Sequence, residues 1–99
     1  MKTRRPKSRK TEILDAALTL ARNIGYQAIT REALANQARC SEATISLYFG
    51  TMPQLRRAIM SAAVARDDLI VIAQGLAVGD AKARAAAVGQ RRAAAEGMI

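Results

Sequence analysis

The sequence predicts an all-α chain, and three observations carry that prediction. Apolar residues recur from Ile13 onward at the three- and four-residue intervals of one side of an α-helix. Thr30, Ser41 and Thr51 stand just ahead of such runs, where a side-chain oxygen can accept from the first free N–H groups of a helix. No period-two alternation is long enough to read as a strand.

Ile13, Ala17, Leu20, Ala21 and Ile24, widened by Leu14 and Leu18, form the stripe of a first amphipathic helix over about 9–23. Gly25 ends it, as suits a left-handed C-cap. Thr30 caps a second, short helix over roughly 31–37, with Glu32 in its first turn and Ala33, Leu34 and Ala38 along one side. Ser41 opens a third short helix that runs through about Tyr48 to Gly50. Thr51-Met-Pro-Gln54 has the form of a capping box, and Pro53 falls in the first turn, where a missing N–H costs nothing. The longer fourth helix that follows has Leu55, Ile59, Ala62, Ala63, Leu69 and Ile72 spaced to bury one side. Gly75 and Gly79 flank a loop, and Asp80 caps a fifth, shorter, Ala-rich helix over about 81–96. Gly89 weakens its middle by about 1 kcal/mol relative to Ala.

At 99 residues this is one domain, and a two-domain enzyme is excluded. Ala supplies 22 of the positions and buries little area, so a monomer has a thin core and a partner subunit is expected to add burial. The three aromatics, Tyr26, Tyr48 and Phe49, concentrate packing around the second and third helices, whereas the aromatic-free half 50–99 permits close helix approach and suits dimerisation. There is no His and one Cys, which removes a zinc site, an intrachain disulfide and a Ser-His-Asp triad. No catalytic residue, metal or cofactor is expected, and an enzyme is the least favoured class.

The charge is +8, from 16 Lys and Arg against 8 Asp and Glu. Six of the basic residues (Lys2, Arg4, Arg5, Lys7, Arg9 and Lys10) lie in residues 1–10 with no acid among them. Such an arm repels itself, is expected to be disordered alone, and calls for a polyanion. Glu12 and Asp15 break the apolar run that a secretory signal needs, and no stretch is long enough to span a membrane. A cytoplasmic, nucleoid-associated protein is expected. The domain boundaries are an arm over 1–10, a compact unit over 11–50 and a helical support or dimerisation region over 51–99.

Two short helices joined by a tight turn, after a first helix and a basic arm, have the layout of a helix-turn-helix DNA-binding unit, which presents its last helix to the major groove. The run Ile13-Leu-Asp-Ala-Ala-Leu, then Gly25-Tyr26, Thr30-Arg-Glu-Ala-Leu-Ala and Ser41-x-x-Thr44-Ile45-x-x-Tyr48-Phe49 resembles the N-terminal domain of the tetracycline-repressor (TetR) family over roughly residues 9–55. The resemblance implies a TetR-like three-helix domain and a transcriptional regulator, usually a repressor, that binds a palindromic operator as a homodimer. Three residues depart from the family pattern: Arg39 replaces a turn Gly, Ser46 an aromatic and Met52 a Lys. The last two are backbone-contacting positions in the family, and the arm's charges can compensate. Family members also continue for about another hundred residues around a small-molecule pocket. The 44 residues after Leu55 are expected to hold no such pocket, which leaves a repressor set by its own concentration, of plasmid or phage type by analogy, with no small-molecule effector.

The expected DNA contacts follow residue by residue. Arg4, Arg5, Lys7, Arg9 and Lys10 track phosphates or enter the minor groove. Thr30 and Arg31, at the start of the second helix, lie near a phosphate, and Arg39 can add another contact. Ser41, Glu42, Ala43, Thr44, Ser46 and Leu47 belong to the recognition helix. Thr44 can bond a base edge or a phosphate, and Ala43 or Leu47 can touch a thymine methyl. Glu42 either accepts from a cytosine amino group or repels nearby phosphates, and Ser46 offers a short hydroxyl. Tyr48 packs its ring or reaches a phosphate with its hydroxyl. Ile45, Phe49 and Leu34 are core, Cys40 is a small buried turn residue, and Arg56, Arg57, Arg91 and Arg92 face solvent. Two rival readings are a protein-interaction module of antirepressor or antitoxin type and a non-specific nucleoid-binding protein. A membrane-surface peptide is opposed by Glu12 and Asp15.

Overall fold

The computed structural model describes residues 8–87, which form helices and turns throughout. α1 (Arg9–Ile24) starts at Ser8, whose hydroxyl accepts from the Thr11 N–H, and ends at Gly25, where φ is +91°. A 3₁₀ turn over Tyr26–Ala28 follows, then α2 (Arg31–Ala38) and α3 (Glu42–Phe49). α4 (Met52–Ala65) carries the expected capping box in full: the Gln54 N–H donates to the Thr51 hydroxyl, and the Thr51 N–H to the Gln54 side-chain oxygen. α5 (Leu69–Ala77) precedes a turn at Gly79, and residues 81–87 are helical again behind Asp80, which accepts from the Lys82 and Ala83 N–H groups. The rest of the fifth helix expected over 81–96, with Gly89, and the arm residues 1–7 lie outside the described residues.

The fourth helix is not one long helix. It breaks at Arg66–Asp68, where Asp67 turns left-handed and Asp68 caps a new helix by accepting from the Val71 N–H. Two ion pairs hold the break against α1, Arg22 with Asp68 and Arg66 with Asp15. The change of direction carries Leu69 away from the core, so that it is 63% exposed rather than buried. Gly75 is likewise inside α5 instead of flanking a loop. A Cβ there would lie 2.6 Å from both the Met60 methyl and the Ala83 Cβ, so this glycine allows close approach of α5, α4 and the segment 81–87.

The core is shared among α1, α2, α3 and α4 and continues through Tyr26 and Ile29 between α1 and α2. α1 buries Ile13, Ala17, Leu18 and Ala21, and α4 buries Leu55, Ile59, Met60, Ala62 and Ala63; α2 and α3 bury two residues each. Leu34, Ile45 and Phe49 are core as expected, whereas Ile24 is exposed. Gln74, the one polar side chain of α5, is used at the end of α1: its amide donates to the Ala21 carbonyl and its oxygen accepts from the Tyr26 N–H. Burial pushes the Tyr26 phenol above its usual value, with the Asp80 charge adding to it and a hydrogen bond from Gln27 opposing it.

The turn between α2 and α3 is closed by Arg39 at φ 57°, ψ 50°, with the Cys40 N–H reaching back to the Ala35 carbonyl. A non-glycine residue in this conformation carries a strain of about 1 kcal/mol. Arg39→Gly removes that strain, partly offset by glycine's greater freedom in the unfolded chain, and is expected to raise Tm by about 2–6 °C in a thermal melt.

Candidate nucleic-acid interface

α3 is set on the protein by two residues. Ile45 and Phe49, one turn apart, are buried, which fixes the opposite side of the helix outward. Ala43 and Leu47 occupy the middle of that outward side, flanked by Thr44 and Ser46; Leu47 is 82% exposed. An apolar side chain so far from any core contact has nothing on the protein to pack on. Ser41 fixes the start of the helix, its hydroxyl accepting from the Thr44 N–H at 3.1 Å and meeting the Thr44 hydroxyl at 2.9 Å. Thr44 therefore presents an oriented hydroxyl, not a freely rotating one.

Glu42 is placed differently from its outward neighbours. It is exposed, but it borders a groove lined also by Thr30, Arg31, Met52 and Arg56, between the starts of α2, α3 and α4. The same groove is also lined by Glu32, so Glu42 stands among two arginines and a second acid rather than in the middle of the outward side. Thr30 caps α2 as expected, accepting from the Ala33 N–H at 3.1 Å. Arg31 is half-buried and donates to the Gly50 carbonyl at 3.1 Å, so it ties the start of α2 to the end of α3. Arg56 is half-buried, contrary to its expected solvated position, while Arg57 is exposed. The Nε atoms of both Arg31 and Arg56 are buried without a hydrogen-bond partner.

The root of the basic arm stands beside the recognition helix. Lys10 lies over the Phe49 ring, 5.8 Å from its centroid, and Arg9 donates to the Arg39 carbonyl at 3.3 Å while pairing with Glu12 at 3.1 Å. Both residues are in the first turn of α1, so the last two positions of the 1–10 arm are helical. Sequence reasoning missed these contacts because their partners lie some thirty and forty residues along the chain. Arg4, Arg5 and Lys7 lie outside the described residues. Arg39 points an exposed side chain from the turn, and Ser46 is exposed one residue from Leu47. Tyr48 is exposed at 40%, its ring 6.4 Å from that of Phe49 and tilted by 50°. Cys40 is half-buried in the turn rather than fully enclosed, and Met52 packs against the core.

Together these residues make one convex surface: a short helix with an apolar centre and hydroxyls at its flanks, next to Arg9, Lys10 and Arg39. Such a ridge fits a groove whose rim is negative and whose floor offers methyl groups and hydrogen-bonding edges. Among the described residues no three acidic or Cys side chains converge as a metal site, and no helix is long and apolar enough to cross a membrane. Residues 13–59 match the family model described as bacterial regulatory proteins, tetR family. A search of curated proteins and of solved structures finds no match.

Proposed function

With residues 13–59 identified as the N-terminal helix-turn-helix domain of a tetR-family bacterial regulator, we propose that the chain is a repressor that binds a palindromic operator as a homodimer. The observation that carries this reading is the outward side of α3, where Ala43, Thr44, Ser46 and Leu47 are turned away from a core anchored by Ile45 and Phe49. In the major groove Ala43 and Leu47 meet thymine methyls, and the oriented Thr44 hydroxyl and Ser46 address base edges or phosphate oxygens. Thr30, Ser41, Tyr48 and Arg39 border the same ridge and suit phosphate contacts, with Arg9 and Lys10 at the root of the arm. Arg4, Arg5 and Lys7 of the arm add sequence-independent attraction. Glu42, at the groove that Arg31, Glu32 and Arg56 also line, either accepts from a cytosine amino group or repels nearby phosphates.

Repression is steric: an occupied operator excludes polymerase, in the cytoplasm where the chromosome lies. The protein carries out no catalysis. Operator binding is set by protein concentration rather than by an effector within residues 8–87. The depression of about 470 Å³ between α1 and the α4–α5 turn is lined mainly by the paired ions Asp15, Arg22, Arg66 and Asp68, which disfavours an apolar effector at that place.

Electrostatics provide the test. If about eight phosphates are neutralised per dimer, log K against log salt concentration has a slope near −7 in a fluorescence-anisotropy titration. A slope near zero would remove the polyanion from the account.

A further inference from the structure

We propose that the outward face of α5 is the surface on which two copies of this chain associate. The proposal rests on the two-fold reading above and names the surface which that reading needs.

α5 has no charged residue from Leu69 to Ala77. Val71, Ile72 and Gly75 turn inward, and the opposite side carries Leu69, Ile70, Ala73, Leu76 and Ala77, all exposed and all apolar. The exposed sides of the other helices are studded with polar residues, such as Glu12, Thr19 and Arg22 on α1 and Glu32, Asn36 and Gln37 on α2. Apart from Gln74, which is used at the end of α1, α5 is apolar on every side, and a helix of that kind is normally covered all round. At one end Val78 extends the patch to the exposed Ile24, across a shallow groove that both residues line.

Three features select a second copy as the occupant. The face is self-complementary: Ala73 lies at its centre, with Leu69 and Ile70 one turn before it and Leu76 and Ala77 one turn after. Two antiparallel helices crossing at Ala73 therefore set large residues of one beyond the small centre of the other, as a two-fold contact requires. The absence of charge matters because each copy is +8, and few other helix sides could meet their own image without repulsion. Lastly, α5 rests on α1, α4 and the 3₁₀ turn, with no comparable packing on α2 or α3. A contact there leaves both recognition helices free.

The size of the face sets the strength. A patch of this kind amounts to a few hundred Å², short of the ~800 Å² per partner of a standard interface. Association is therefore weak in free solution and strengthened on DNA, where two adjacent half-sites hold the copies together.

Analytical ultracentrifugation of the full chain, and anisotropy with a duplex selected from random DNA for wild-type binding, test this together. The comparison duplex has one half-site scrambled. Ala73→Glu and Ala73→Lys are exposed helix substitutions of opposite charge. Both are expected to abolish the rise of mass with concentration and to weaken binding to the two-half-site duplex at least about 10-fold. Binding to the single half-site should stay within about 2-fold for both, apart from the small opposite shifts of one charge. In a Cys40→Ser background, A73C is expected to give a disulfide-linked dimer on oxidation, a readout that does not depend on a disruptive side chain. Wild-type-like association of the two charged variants, or no cross-link through position 73, would overturn the surface. A wild-type chain that stays monomeric both free and on the two-half-site duplex would instead overturn the two-fold reading itself.

Discussion

Leu47→Glu is expected to lower affinity for the selected DNA at least about 100-fold while leaving Tm within about 4 °C of wild type. The two halves of this result have separate causes. Leu47 is 82% exposed and makes no core contact, and substitutions at such positions change stability by about 0.5 kcal/mol or less. Next to phosphates, however, a carboxylate at the centre of the outward face of α3 meets like charge, and such juxtapositions cost several kcal/mol. About 2.8 kcal/mol is 100-fold. Anisotropy and circular-dichroism melting on one preparation read both quantities. Unchanged affinity would show that α3 does not enter the groove.

Ile45→Ala, two residues away, is expected to do the reverse. Ile45 is fully buried, and truncation to Ala in such a site costs about 2–5 kcal/mol through lost transfer energy and the cavity left behind. A domain of this size has only about 5–15 kcal/mol to lose. The melting temperature should fall by more than about 10 °C. DNA affinity, measured well below the new Tm, should stay close to wild type, because the outward residues are untouched. Adjacent positions of one helix would thus separate into a folding side and a reading side.

That division was legible in the sequence because Ile45 and Phe49 stand one turn apart between clear caps, Ser41 before and Gly50 after. The starts of α2, α4 and the segment at 81 were legible for the same reason: Thr30, Thr51 and Asp80 announce themselves by type. The break between α4 and α5 was not. Leu69 and Ile72 continue the helical spacing from Leu55 with no Gly or Pro between, and the only local signal is the Asp67-Asp68 pair. What makes the break stable is tertiary, the pairing of Arg22 and Asp15 of α1 across it. Gly75 misled for a related reason, since its small size serves Met60 and Ala83 rather than a turn. In the site, local logic likewise placed Ala43 and Leu47, but not Glu42. The groove it borders is lined from other helices by Arg31, Glu32 and Arg56, which no spacing within α3 reports.

Selection of bound duplexes from random DNA tests the central claim most directly, because it reads sequence choice and symmetry together. The account predicts enrichment of a palindrome whose half-sites lie about one helical turn, or somewhat more, apart. It also predicts that Leu47→Ala changes the preferred bases within each half-site while keeping the spacing. Retention of random duplexes without an enriched motif would contradict it, and would leave a protein that coats DNA without reading it.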